Sequence, residues 1–147
     1  MDYITNEDIE QRLGSDAYVQ LTDDDGDGVA DTGVVNEARL GAEGEVDSYL
    51  ARGYAVPVDA SGDSELAGLL ASVTLDLVEL RLRSRRPPVS QEAQQRAQQT
   101  IAWLAGVADG RVDLPSVGRI SVSPPETLGS TTTGETRILS HDEMSDY

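Results

Sequence analysis

Apolar residues recur at spacings of three and four along most of the chain, the period of helices with one buried face. Thr5-Asn6-Glu7-Asp8 reads as a capping box with Asp in the acidic place. It opens a short helix over about 6–13, with Ile9 and Leu13 on one side and Gly14 as its stop. Residues 15–21, with Tyr18, Val19 and Leu21, read as a short turn packed on the core. A second helix spans about 33–52, where Val35, Ala38, Ala42, Val46, Tyr49 and Leu50 share a stripe. Gly41 and Gly44 inside it each cost roughly 1 kcal/mol against Ala, and they leave room for another helix or subunit to approach. Arg52–Pro57 breaks that helix and runs extended, because Pro57 restricts Val56. A third helix covers about 65–84, with Ser64 as its cap. Leu66, Leu69, Leu70, Val73, Leu77 and Leu80 form one apolar face, and Leu75, Val78 and Leu82 form a second. A helix apolar on two sides lies between others, so this is the central element. Pro87-Pro88 stops it, and a fourth helix follows over about 89–109, with Ala93, Ala97, Ile101, Leu104 and Ala108 inward and Gly110 at its end.

The remainder changes character. Val112–Pro115 and Ile120-Ser121-Val122 look extended, residues 123–134 are rich in Pro, Ser, Thr and Gly, and Thr136-Arg137-Ile138-Leu139 has the pattern of another strand. Such a tail is either disordered or ordered by partner chains, and its strand-prone apolar residues favour the second. The expected fold is all-α: a small bundle of about four helices with an extended, partly β-like C-terminal arm. The bundle is assigned to 1–110 and the arm to 111–147.

Composition narrows the function. The chain has 147 residues, no Cys and a formal net charge of −16. One domain is expected, with no disulfide framework and no thiolate chemistry. The amino terminus lacks the basic and apolar regions of a signal peptide, and no stretch is long enough to span a membrane, so synthesis in a cytoplasm is expected. The charge opposes attraction to DNA or anionic membranes, although an acidic channel wall past which DNA slides is a use for it.

The most distinctive stretch is Asp23-Asp24-Asp25-Gly26-Asp27-Gly28-Val29-Ala30-Asp31. Carboxylates at 23, 25 and 27 can converge on one ion, Gly28 permits the sharp turn, Val29 offers its carbonyl and Asp31 a further oxygen. This is the front half of a calcium loop. The bidentate Glu that closes such a loop would stand at 34, where the chain has Val34. Two readings stand: a weak or modified calcium site, and an acidic cap on the following helix.

Other chemistry is sparse. His141 has no second His or Cys to share a metal, and nothing marks a carboxylate pair as acid and base, so no enzyme is expected. Arg81, Arg83, Arg85 and Arg86 end the third helix, where they serve as intersubunit salt-bridge partners, solvated dipole caps or phosphate contacts. Trp103 is core packing or an interface anchor.

Several stretches, taken in order, resemble the head–tail adaptor (head completion) proteins of Mu-like tailed phages. They are Tyr3–Ile9, Leu21–Gly28, Glu45–Tyr54 with Val56-Pro57, Arg96, Trp103-Leu104, Gly110–Leu114 and Arg137–Met144. Gly53, where Arg commonly precedes the Tyr, and His141, where Arg is common, depart from the pattern. The resemblance implies a small helical bundle with an extended C-terminal arm. It implies a homo-oligomeric ring, typically a dodecamer, at the head–tail junction of the virion. Portal protein would lie above it and a neck, tail-terminator or tail protein below. DNA would pass through the channel without specific binding. Interface candidates are the arginines at 81, 83, 85 and 86, with Trp103, and, in the arm, Ile120, Val122, Arg137, Ile138 and Leu139. The rival reading is a calcium-binding interaction module.

Overall fold

A computed structural model describes residues 2–121, and among these it is all-helical. Five helices follow in order: α1 Asn6–Leu13, α2 Ser15–Thr22, α3 Thr32–Leu50, α4 Ser64–Ser84 and α5 Gln91–Ala108. The expected bundle of about four helices is present with one short helix added.

The addition is α2, where the sequence suggested a turn. Gly14 adopts φ 83° and serves two helices at once. Its N–H donates to the Glu10 carbonyl, closing α1, and its carbonyl accepts from Tyr18 N–H, opening α2. Glycine is commonly the stop of one helix. Here its freedom at positive φ also lets the next begin without a loop. The two-turn segment buries only Leu21 and Thr22, too few positions to display a helical period.

The cap of α1 is the one expected: Thr5 Oγ1 accepts from Asp8 N–H at 3.2 Å, and Asp8 accepts from Thr5 N–H at 2.7 Å. The cap of α4 lies one residue earlier than expected. Asp63, not Ser64, accepts from the N–H groups of Glu65 and Leu66, at 2.8 and 3.1 Å. A carboxylate there also meets the positive end of the helix.

α4 is the hub. It packs on α1, α2, α3 and α5, burying Leu66, Leu70, Leu77, Val78 and Leu82 on its two apolar faces. The small residues Ala38 and Ala42 of α3 and Ala93 and Ala97 of α5 let the neighbouring helices come close. α4 also carries two charges inward. Asp76 pairs with Arg12 of α1 and accepts from Thr100 Oγ1 of α5. Glu79, whose side chain is 9 % exposed, pairs with Arg12, Arg83 and Arg96. One turn of α4 thus fixes α1 and α5 by directional bonds as well as by apolar contact. A buried carboxylate needs such partners, because losing the hydration of its charge otherwise disfavours folding.

The amino-terminal residues are tied down similarly. Buried Glu43 of α3 accepts from Tyr3 N–H at 3.0 Å and Ile4 N–H at 3.4 Å, with Arg39 nearby. Burial pushes the Glu43 carboxyl above its ordinary range, and those bonds hold it back.

Arg52–Pro57 leaves the helix as expected, but in turns that fold Tyr54 into the core instead of an extended run. Tyr54 is 1 % exposed, and its hydroxyl accepts from Leu114 N–H at 2.9 Å. The chain beyond 110 therefore returns to the bundle. Leu114 is buried, Arg119 lies over the Tyr54 ring at 5.1 Å, and Ile120 N–H donates to the Gly53 carbonyl at 2.8 Å. Arg119 donates to the Val107 and Val112 carbonyls and to Asp113. The stretch 111–120, read from sequence as unsupported arm, is docked on the ends of α3 and α5. Val122, Arg137, Ile138 and Leu139 lie outside the described residues.

Gly53 is what makes this docking fit. A methyl group there would run into the Arg119 guanidinium, which its hydrogen bonds hold in place. Gly53→Ala is therefore expected to destabilise the fold by about 1–3 kcal/mol in urea titration. The same substitution should cost little in an Arg119→Ala background, because the side chain it displaces is gone. Additive losses would disprove the coupling.

Candidate functional site

The acidic loop joins α2 to α3. Its shape is set by its own carboxylates. Asp23 accepts from Gly26 and Gly28 N–H at 2.7 and 2.9 Å. Asp25 accepts from Asp27 N–H at 3.1 Å, and Asp27 from Val29 N–H at 2.8 Å. Asp31 closes the loop: its carboxylate accepts from Asp24 N–H at 2.8 Å and its own N–H donates to the Thr22 carbonyl. Gly26 and Gly28 stand at φ 80° and 82°, a conformation that side chains resist.

As a result, Asp23, Asp25 and Asp27 each place a carboxylate oxygen within 4.8 Å of the other two. The hydrogen bonds from Gly28 and Gly26 hold Asp23 below its ordinary pKa against partial desolvation. Asp25 behaves oppositely. The Asp27 N–H favours its charged form, but desolvation and the charges of Asp27 and Asp31 outweigh this and raise it. An oxygen cluster of this kind suits a hard divalent cation. The alternate carboxylates and the turning glycine fit calcium, whereas the bidentate ligand is replaced by Val34 at the start of α3. The cap reading finds less support, since the α3 cap residue, Asp31, makes no side-chain bond to the helix N-terminus.

The arginine cluster and the loop, read separately from sequence, meet in space. Arg85 donates to the Leu21 carbonyl at 2.7 Å and to Asp24 at 2.6 Å. Arg86 donates to the Asp23 carbonyl at 2.8 Å and lies 3.7 Å from Asp24. Both hold the loop through its backbone and through Asp24, whose side chain stands apart from the cluster. Among the described residues no arginine pairs with the carboxylates of Asp23, Asp25 or Asp27, so none of these arginines competes for them. The missed signal was positional: an arginine pair directly after the last residue of a helix that packs on the loop's entering helix.

The other two arginines of the cluster are also engaged within the chain. Arg81 crosses α3 at Gly41, where an added methyl would lie 2.8 Å from its guanidinium, and pairs with Glu45 at 2.7 Å. Arg83 pairs with Glu79 one turn back at 2.9 Å. Gly41 thus accommodates an arginine, while Gly44 faces open space. Trp103 is half-buried, packed on the core beside a groove formed with Leu69, Val73 and Arg96. Ile120 is half exposed. Every arginine among the described residues lies in an ion pair, which leaves none idle for a phosphate backbone.

The described residues thus form a helical bundle with ion-paired surfaces and one acidic loop. A family model described as Bacteriophage Mu, Gp36 matches residues 3–130, and the chain belongs to that phage protein family. No curated protein matches the chain. Among the described residues no helix is long and apolar enough to cross a membrane.

If Arg85 braces the loop, Arg85→Ala should lower stability by about 1 kcal/mol, the modest value expected for a pair that is partly exposed. Asp24→Asn should cost less once Arg85 is gone. Independent effects of the two substitutions in thermal melts would rule out the brace.

Proposed function

We propose that the chain is a structural virion protein, without catalytic activity, that forms a ring between portal and tail. It extends the DNA channel and joins head to tail. The observation that carries this reading is the family match, which runs across all five helices instead of one motif. The geometry is compatible in two respects. A closed ring of one repeated subunit needs two different complementary faces on each copy. α3 offers one candidate, with exposed Leu40 beside Gly44, and the half-buried Trp103 on α5 offers another. The excess of carboxylate over arginine suits a channel past which DNA moves without adhering. Partners in this reading are further copies of the chain, typically twelve in all, the portal above, and a neck, tail-terminator or tail protein below. Particle images of the purified protein, alone and with portal, should show rings of discrete subunits in at least the portal sample. A persistent monomer in both would refute the assignment.

A second reading concerns the loop, and the convergence of Asp23, Asp25 and Asp27 favours it. In it these three, with the Val29 carbonyl and Asp31, hold calcium, which stiffens the α2–α3 junction. Asp25→Ala with Asp27→Ala should then lower the melting temperature more in calcium than in chelator. The pH dependence follows from the carboxylates. Asp25 is raised, so it takes up its proton first as pH falls, and a protonated ligand no longer serves the ion. The metal-free loop is relieved of repulsion by the same proton. The stabilisation by calcium should therefore shrink from above the ordinary aspartate range downward. A melting temperature indifferent to calcium at neutral pH would leave the loop a structural brace alone.

A further inference from the structure

Leu40 is the one large apolar side chain exposed on a helix among the described residues. On the same outer face of α3 lie Glu37, one turn before it, and Gly44, one turn after. Glu37 has no ion-pair partner among the described residues. A Cβ added at Gly44 would meet nothing, so a neighbour has room to come down on the backbone there. The face is an apolar knob set between an unneutralised acid and a flat spot.

A groove elsewhere on the surface carries the converse. It holds about 230 Å³ between α4 and α5, with Leu69, Val73 and Trp103 as apolar walls and Arg96 among its polar lining. Asp76 also lines it, but is engaged by Arg12 and Thr100. Glu79 is shared among the guanidiniums of Arg12, Arg83 and Arg96, and Arg96 is the most exposed of the three. Its Nη1 donates to Glu79 at 2.9 Å, which leaves its other N–H groups for a second carboxylate.

The two surfaces match in length. Seven residues separate Glu37 from Gly44, and seven separate Arg96 from Trp103. At ~1.5 Å per residue both spacings are about 10.5 Å. An α3 laid parallel to α5 along the groove therefore brings Glu37 to Arg96 and Gly44 to the Trp103 ring in the same register, with Leu40 over Val73. Two α3 faces set against each other would instead oppose acid to acid with no cation between them.

We propose that the outer face of α3 in one copy of the chain seats in the α4–α5 groove of the next, with Leu40 in the groove, Glu37 against Arg96 and Gly44 beneath Trp103. The contact joins unlike surfaces, the kind that closes rings, so it rests on the ring reading and names the two faces that meet in it.

The absence of cysteine makes the test direct. In the proposed register Gly33 of one copy lies beside Glu92 of the next, and both are exposed. Full-length Gly33→Cys chain is mixed with a differently tagged Glu92→Cys chain, with and without portal, and treated with a short bismaleimide. Gly62→Cys, on an exposed turn, replaces Glu92→Cys in the reference mixture. Circular dichroism checks that each variant is folded. The cross-link between unlike chains should exceed that of the reference by about tenfold, the margin given by a contact favoured by only ~1.4 kcal/mol. Leu40→Glu or Glu37→Arg in the Gly33→Cys chain should each bring it down to the reference. For Glu37→Arg that loss runs against the general repulsion between acidic chains, which the substitution relieves. Rings in particle images with a cross-link no better than the reference would overturn this contact and leave the ring standing. Neither rings nor cross-link would overturn both, and a specific cross-link without rings would uphold the contact and refute the ring alone. A cross-link unmoved by Leu40→Glu and Glu37→Arg would also overturn the proposal.

Discussion

The bundle depends on a charge imbalance that it has turned into a fastening system. Carboxylates far outnumber arginines, so each guanidinium has acids to choose among, and the choices fall where elements meet. Asp76 and Glu79 are the centre of this arrangement. They sit on the inner side of α4, where burial would be prohibitive without partners, and the partners come from α1, from α5 and from α4 itself. Apolar packing alone would allow helices with alanine-lined faces to slide or rotate against one another. Bonds from Arg12, Arg96 and Thr100 to one turn of α4 restrict that freedom. The same device recurs at lower burial, with Arg81 joining α4 to α3 and Arg85 joining it to the α2–α3 loop.

This arrangement changes the meaning of the acidic loop. Taken by itself, it is a run of mutually repelling carboxylates on a short connection. In the fold, Asp23, Asp25, Asp27 and Asp31 each accept from backbone N–H groups, and the arginines that follow α4 grip the loop from behind. The chain thus bears the cost of bringing Asp23, Asp25 and Asp27 together with hydrogen bonds of its own making. The arginines touch the loop's backbone and Asp24, and none of the three carboxylates. The loop is pre-shaped in a form suited to a cation, and its position between α2 and the long α3 connects any change in it to the face that α3 presents.

Much of this was legible in the sequence. The long helices carry strong periods, and the doubly apolar pattern of α4 identified the central element, because two buried faces leave no other position. The ends were set by local chemistry at Thr5, Pro87 and Gly110. What was not legible depended on contacts between distant residues. Ser15–Thr22 is too short to show a period, and a glycine that both ends and begins a helix looks like a plain stop. The docking of 111–120 rests on Tyr54, Leu114 and Arg119, which are separated in the chain and have no pattern in common. The arginine cluster announced a role in ion pairing but not the partners. Glu45, Glu79 and Asp24 are ordinary acidic residues until the fold sets them beside it.

The contact between Gly53 and Arg119 bears on the path of the chain as well as on packing. The space next to the Tyr54 ring admits one large cationic side chain, and here it arrives from the far end of the described chain instead of from the residue preceding the tyrosine. A side chain placed at 53 and the arginine at 119 are rival tenants of one volume. A larger residue at 53 therefore requires Arg119 to give way, and with it the route taken by the chain after α5.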